Sequence, residues 1–360
     1  MAFVPQATID HRALRHNLQR VRETAPQSRV WAVIKANAYG HGMERVAATL
    51  QAADGFAVAR IEEAQRLRQA GVTKPILILE GVFTAEDVQS ASENGFQLTV
   101  HHLQQVELLE TTQLNFPVEC WLKVDTGMHR LGFAPRQLSE AATRLQKVNE
   151  VGDLHLMTHL ANADDRNDPA SLKQCERFDR LTLSSYTDLS IANSAGLLAF
   201  EETHRDWVRP GIMLYGISPF LHSSGSDEDL QPVMTFSSRV LTLNHCNAGD
   251  RVGYGGTFEC PESMPVAVIG VGYGDGYPRH ARPGTPVLIR NQRLPLICRV
   301  SMDMICVDAR ALPDLQIGEE VVLWGAGLPV ELIAQSSETI AYELLCGITG
   351  RVGFIDVEKD

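Results

Sequence analysis

Val30-Trp31-Ala32-Val33-Ile34-Lys35-Ala36-Asn37-Ala38-Tyr39-Gly40-His41-Gly42 joins an apolar run to a lysine and then to a glycine-bearing turn. Residues 30–34 read as a fully buried strand, and a helical pattern starts near Gly42. In α/β domains, ligands bind and chemistry happens beyond the carboxyl ends of parallel strands. Lys35 stands at such an end. An amine held there against apolar walls loses its proton readily and can condense with a carbonyl to form a Schiff base. Taken alone, a lysine at a strand end is more often simply solvated, so its meaning depends on the rest of the chain.

The same unit repeats along the sequence. Further strand candidates lie at 55–59, 75–79, 96–100, 118–124, 154–159, 188–192 and 211–216, with helix-period stretches at 61–70, 84–93, 102–112, 135–148 and 169–183. Thr84 before Ala85-Glu86-Asp87, and Asp168 before Pro169, mark two helix starts. Eight strands, each followed by a helix or a short substitute, predict an α/β fold of the (β/α)8 TIM-type barrel kind. A doubly wound open sheet rarely reaches eight repeats without a change of rhythm. Near residue 217 the pattern does change: 218–232 is a polar, Pro- and Gly-bearing linker. Beyond it the chain alternates with period two at 233–245, 250–255, 265–273, 285–300, 303–308 and 319–324, interrupted by one helical stretch at about 329–346. The expected architecture is a barrel over 1–225 and a mostly β domain over 226–360, with the first few residues free to pack with the β domain.

Composition sets outer limits. A length of 360 residues allows about two domains, and 44% hydrophobic with 21% charged residues fits an ordinary globular chain. The net charge of −12 opposes nonspecific nucleic-acid binding yet leaves room for one basic site that holds a small anion. Among the seven cysteines no two lie closer than Cys298 and Cys306, so neither a CxxC pair nor a zinc ligand set is present, and no metal is expected. Reduced thiols, an amino terminus without a signal-peptide pattern and no apolar run of roughly 18 residues predict a cytoplasmic protein without a membrane span.

Polar residues gather at the strand ends. Lys35 and Tyr39 follow strand one, Lys123 and Asp125 end strand five, and Arg130 lies in the loop after them. His159 ends strand six, Asn193 and Ser194 end strand seven, and Arg209, Pro210, Gly211 and Ile212 lead into strand eight. Barrels of this kind commonly hold a phosphate with the loops after strands seven and eight. Ser194, the amides of Gly211 and Ile212, and Tyr342 are the candidates for that cradle. A Schiff-base lysine and a phosphate cradle at one mouth fit pyridoxal 5'-phosphate (PLP), which carries an aldehyde at one end and a phosphate at the other. Val252-Gly253-Tyr254-Gly255 and Val271-Gly272-Tyr273-Gly274 echo each other. Composition alone does not say which tyrosine is reactive.

The segments AVIKANAYGHG (32–42), KVDTGMHRLGF (123–133), NSAG (193–196), WVRPGIMLYG (207–216), VGYGGTF (252–258), GVGYGDGYPR (270–279) and RVSMDMICVD (299–308) resemble the alanine racemase family, in order and from end to end. The resemblance implies a PLP-dependent racemase that interconverts L- and D-alanine, either supplying D-alanine for peptidoglycan or degrading alanine. It implies that Lys35 carries the cofactor and acts as one acid/base group. Tyr254 acts as the other from the opposite face, with Arg279 beside it. Tyr39, His159, Ser194, Arg209, Gly211, Ile212 and Tyr342 would bind the cofactor, Arg209 at the pyridine nitrogen. Arg130, Met302 and Tyr273 would meet the substrate, and Asp303 would support the loop. Lys123 would be carbamylated and would fix Arg130. The second domain would reach the mouth of another subunit, giving a homodimer with shared sites. Other barrel-type PLP enzymes, such as a decarboxylase or a racemase of broader range, a non-catalytic PLP-binding protein, which would be a barrel without the second domain that bears Tyr254, and a PLP-free Schiff-base aldolase are the alternatives. Arg209 and Tyr254 argue against the decarboxylase, which needs one proton donor and usually a carboxylate at the pyridine nitrogen.

Overall fold

The computed structural model describes residues 4–358. Strand β1 (Gln6–Asp10) precedes a closed ring of eight parallel strands. These are β2 (Arg29–Val33), β3 (Gly55–Val58), β4 (Ile76–Ile78), β5 (Phe96–Val100), β6 (Val118–Lys123), β7 (Val151–Met157), β8 (Leu189–Ser190) and β9 (Trp207–Val208), and β9 closes onto β2. Strands buried on both faces read as continuous apolar runs, as Ile76–Ile78 and Gly55–Val58 do. The helices pack outside, and their caps follow the expected chemistry: the Thr84 hydroxyl accepts the Asp87 N–H at 3.1 Å at the start of helix Ala85–Asn94.

Strands four apart in an eight-strand ring face each other across it. Trp31 of β2 and Trp121 of β6 nevertheless meet, with ring centroids 6.3 Å apart, and Trp207 of β9 stacks on Trp31 at 4.2 Å. The lumen is therefore plugged by indoles, and the open end is the one at the strands' carboxyl ends.

The last barrel strand differs from expectation. The run 211–216 is not a strand: Ile212–Tyr215 forms a buried 3-10 turn, and the strand is Trp207–Val208 just before it. The short apolar run is buried all round, and periodicity does not separate a buried strand from a buried helical turn. As a result Arg209, Pro210, Gly211 and Ile212 follow the final strand instead of preceding it, which puts them at the mouth. Pairing continues through backbone bonds from Arg209 N to Ala192 O (2.9 Å) and from Val33 N to Pro210 O (3.0 Å).

The remainder comprises β10 (Met234–Cys246), β11 (Arg251–Val252), β12 (Phe258–Glu259), β13 (Met264–Ile269), β14 (Pro286–Ile289), β15 (Gln292–Pro295), β16 (Ile305–Asp308), β17 (Glu320–Trp324) and β18 (Gly353–Val357). β1 lies inside this second sheet, antiparallel to β10 and parallel to β18, so both ends of the described chain stitch into it. The stretch expected as one helix at 329–346 is two, Val330–Ser336 and Ala341–Cys346, broken where Glu338 takes φ 54°. Among the described residues, no helix is long and apolar enough to cross a membrane.

Candidate active site

The chain leaves β2 into an uncommon backbone. Ala36, Asn37, Ala38 and Tyr39 have φ between 51° and 54°, one turn of left-handed helix without a glycine. Each such residue costs about 1–2 kcal/mol relative to right-handed backbone, so the turn persists only because its surroundings over-determine it. Glu63 accepts the Ala36 N–H at 2.6 Å, and the Asn37 side-chain oxygen accepts the Met43 N–H at 3.1 Å. At Gly40, φ 81°, a Cβ would lie 2.0 Å from the Leu345 carbonyl oxygen, so helix Ala341–Cys346 presses directly on the turn. Lys35 stands at one end of this turn and Tyr39 at the other.

Both line a cavity of about 1450 Å³ at the barrel mouth, together with Lys123, Arg130, His159, Ser194, Arg209, Gly211, Ile212 and Tyr342. Seven of the eight ring strands (all but β3), with the loops at their ends, and the segments 218–224 and 329–342 thus converge on one space, and the linker forms part of its wall. Lys35, Lys123, Arg130 and Arg209 cluster in it, while Glu80, Asp164, Asp227 and Glu331 also line it. Among the described residues, no carboxylate forms an ion pair with Lys35, Lys123, Arg130 or Arg209. Burial, then Arg130, lowers the Lys35 pKa. Lys123, 8% exposed, is brought down to about 7 by burial first and then by Arg209, Arg130 and Lys35. Burial and the same cations hold His159 well below its usual value, hence neutral. Burial takes Arg209 down to about 10, which leaves it charged at neutral pH. Asp125 does not pair with Lys123: its Oδ1 accepts the N–H groups of Gly127, Met128 and His129 at 2.8–3.1 Å and closes the loop that carries Arg130.

At the far side of the mouth, the Ser194 hydroxyl accepts N–H bonds from Gly211 (2.8 Å) and Met213 (3.4 Å). The Gly211 amide expected in the phosphate cradle is therefore already engaged by Ser194. Ile212 opens the 3-10 turn, where a first residue's N–H has no intrahelical acceptor. A Cβ at Gly211 would lie 2.5 Å from the Tyr39 hydroxyl, so only glycine allows this approach. Arg209 donates to the Ser190 hydroxyl and to the carbonyls of Thr158 and Ile191. Three of its five N–H groups are spent there, leaving two for a ligand.

The second-domain residues lie elsewhere. Tyr254, Tyr273 and Met302 are 72%, 41% and 52% exposed, and none lines the mouth cavity. Their loops are nonetheless built firmly. The Met302 carbonyl accepts the Gly274 N–H at 2.9 Å, Ser301 O accepts the Tyr273 N–H at 3.0 Å, and the Ser301 hydroxyl donates to Met304 O at 2.7 Å. Asp303 takes Arg351 at 2.7 Å, and the same guanidinium reaches buried Asp275 at 3.2 Å. Arg279 makes no hydrogen bond to Tyr254 within this chain, among the described residues. Ser301 and Arg351 hold these loops, as Glu63 holds the turn after Lys35, without any local sequence signal, because their partners are distant in the chain or are backbone groups.

Comparison with known proteins agrees with this geometry. Residues 9–219 match the model of the alanine racemase N-terminal domain, and residues 233–355 that of the C-terminal domain. The chain is 50% identical over 349 residues to the alanine racemase of Nitrosococcus oceani, covering 97% of this chain and 98% of that one. It superposes on the biosynthetic alanine racemase of Pseudomonas aeruginosa with a TM-score of 0.96 at 41% identity, over 99% of this chain and 100% of that chain. It also matches the Bartonella henselae alanine racemase with covalently bound pyridoxal phosphate, at a TM-score of 0.88 and 30% identity over 98% of this chain and 99% of the other. The chain belongs to the alanine racemase family, the isomerases that interconvert the two enantiomers of alanine.

Proposed function

We propose that this chain racemises alanine with pyridoxal 5'-phosphate at the barrel mouth, using Lys35 and Tyr254 as its two acid/base groups. The observation that carries the reading is the mouth's unpaired positive charge: Lys35, Lys123, Arg130 and Arg209 share one cavity without a paired carboxylate. Such a site waits for anions, and the cofactor's phosphate and the substrate's carboxylate supply them. The residues present fit the cofactor: Ser194 is fixed beside Gly211, the Ile212 N–H has no intrahelical acceptor, and Arg209 retains two donors. Lys35, Tyr39, His159, Ser194, Arg209, Gly211, Ile212 and Tyr342 would hold it. When bound, it takes up the electron pair left as an amino acid loses its α-proton.

Lys35 needs a free amine to bind the carbonyl and to exchange a proton with the α-carbon, and burial already favours the neutral form. Tyr254 would exchange the proton on the other face, with Arg279 beside it, Tyr273 at the entrance, and Met302 and Asp303 at the substrate carboxylate. Since Tyr254 is exposed and outside this chain's own cavity, it would serve the mouth of a second copy, and the working unit would be a homodimer. Arg130 would bind the substrate carboxylate. Lys123, half neutral near pH 7 and without a partner, would attack CO₂ through its nitrogen, forming a C–N bond and releasing a proton to solvent. The resulting carbamate anion would fix Arg130. A cytoplasmic setting, where thiols stay reduced, fits the seven free cysteines.

The test is incubation of purified holoenzyme with L-alanine followed by chiral analysis, with borohydride reduction and peptide mapping in parallel. D-alanine and a pyridoxyl group on Lys35 are expected. A label on Lys123 or Lys173, or no D-alanine, would overturn the assignment.

A further inference from the structure

His41 sits two residues beyond the left-handed turn and is fully buried. Its Nδ1 lies 3.0 Å from the Ala38 carbonyl oxygen and 2.9 Å from that of Tyr39. Carbonyl oxygens only accept, so Nδ1 must carry the hydrogen and donate to both. Nε2 is buried without a partner, which fits an unprotonated nitrogen and a neutral ring; burial lowers the ring pKa to about 4. The ring stacks on Tyr215 at 4.5 Å, and Tyr215 in turn packs, tilted by 34°, against Tyr39 at 4.8 Å. The Tyr215 hydroxyl donates to Val33 O at 3.0 Å, anchoring the stack to β2.

We propose that His41 is a positioning residue: its Nδ1–H clamps the left-handed turn shut and thereby sets the spacing between Lys35 and Tyr39. Those two groups stand at opposite ends of the turn and line the same cavity. The Tyr39 hydroxyl also abuts Gly211, at the side of the mouth where Ser194 sits. The turn is therefore a strut between the carbonyl end and the phosphate end of the cofactor site. Without the clamp, the Ala38 and Tyr39 carbonyls lose their shared donor, and a strained left-handed backbone has reason to relax. Lys35 and Tyr39 would then move relative to each other while the barrel stays intact. This inference rests on the assignment of Lys35 as the cofactor lysine.

The experiment compares His41→Phe, His41→Asn and His41→Ala as apoproteins titrated with pyridoxal phosphate, reading the dissociation constant, visible circular dichroism, kcat and KM. Phe keeps a ring against Tyr215 but has no donor; Asn loses the ring but keeps a short side-chain N–H. His41→Phe is expected to weaken cofactor affinity about tenfold or more, equivalent to roughly 1.4 kcal/mol, to alter the visible dichroism, and to lower kcat more than it changes KM. Asn should recover affinity over Ala. If the Phe variant does not fold, the Asn–Ala comparison decides: better affinity in Asn supports the clamp, and equal affinity overturns it. Wild-type affinity, dichroism and kcat in His41→Phe would also overturn it. Borohydride mapping of the wild type separates the two ideas. A label on Lys35 with indifferent His41 variants sinks the clamp alone, whereas no label on Lys35 sinks the cofactor assignment beneath it.

Discussion

The barrel mouth and the loops of the second domain carry their candidate reactive side chains in opposite states. At the mouth, Lys123 and Arg209 are 8% and 5% exposed; burial lowers both pKa values, and Arg209 lowers that of Lys123 further. In the second domain, Tyr254 and Met302 project at 72% and 52% exposure from loops braced by Ser301, Asp303 and Arg351. A rigid loop that presents an aromatic and a methionine to water contributes no local stability in proportion to its order. Single exposed apolar residues need no explanation, but a braced cluster of them marks a contact surface. The proposed homodimer, in which Tyr254 serves the mouth of a second copy, accounts for this contrast.

The largest effect expected from this contrast is complementation. Lys35→Ala and Tyr254→Phe should each lose racemisation by at least about 10²–10⁴-fold. In a twofold heterodimer of the two variants, one mouth carries both lesions and the other neither, so activity should return to about half that of the wild-type dimer. A verified heterodimer that stays inactive would show that Tyr254 serves its own chain's mouth, or none.

The next effect probes the two faces separately. Tyr254→Phe keeps the ring and loses one proton-transfer group. Racemisation should fall by about 10²–10⁴-fold in both directions, since an enzyme leaves the overall equilibrium unchanged. The half-reactions should part: α-deuterium exchange persists from D-alanine, through Lys35, and nearly vanishes from L-alanine. Equal exchange from both enantiomers would mean that one base serves both faces.

How much of this was readable beforehand follows from which signals are local. Buried parallel strands announce themselves as short apolar runs, so seven of the eight barrel strands and the polar residues at their ends stood in the sequence. The eighth escaped because Trp207–Val208 is only two residues long, next to a richer apolar run that turned out to be a 3-10 turn. The left-handed turn was invisible for a different reason. Positive φ is normally signalled by glycine, yet Ala36, Ala38 and Tyr39 carry it here, held by Glu63, His41 and the Leu345 backbone. Glu63 and Leu345 come from two other helices, and no spacing rule joins them to the turn; His41 is local, but a histidine two residues on does not announce positive φ. That the first residues could pack with the β domain was expected, but their place between β10 and β18 is a pairing across the whole chain that no local signal gives. The sequence also gave no sign that Gly211 N–H would be taken by Ser194, because that depends on where two mouth loops meet.

The smallest effect concerns Lys123 and tests how finished the mouth is without its anion. Its folded pKa of about 7 lies below the ordinary lysine value of about 10.4. Below pH 7 the ammonium is charged in both folded and unfolded chains, and the full cost of burying it is present. Between the two values the folded chain has released a proton that the unfolded chain keeps, so stability gains as pH rises through that window. The cost removed is at most roughly 5 kcal/mol, at about 1.36 kcal/mol for each unit of pKa difference. Lys35, His41 and His159 are also lowered, so only the difference between wild type and Lys123→Met isolates this one group. In CO₂-free buffer the variant should melt a few degrees higher than wild type near pH 6.5, and the gap should close by about pH 10. Bicarbonate near pH 8 should raise both the melting temperature and kcat of the wild type, by converting the amine to an anion beside Arg130, and should leave the melting temperature of Lys123→Met unmoved. A gap that is constant across this pH range would show that Lys123 keeps an ordinary pKa, and with it the case for a neutral, CO₂-reactive amine would be lost.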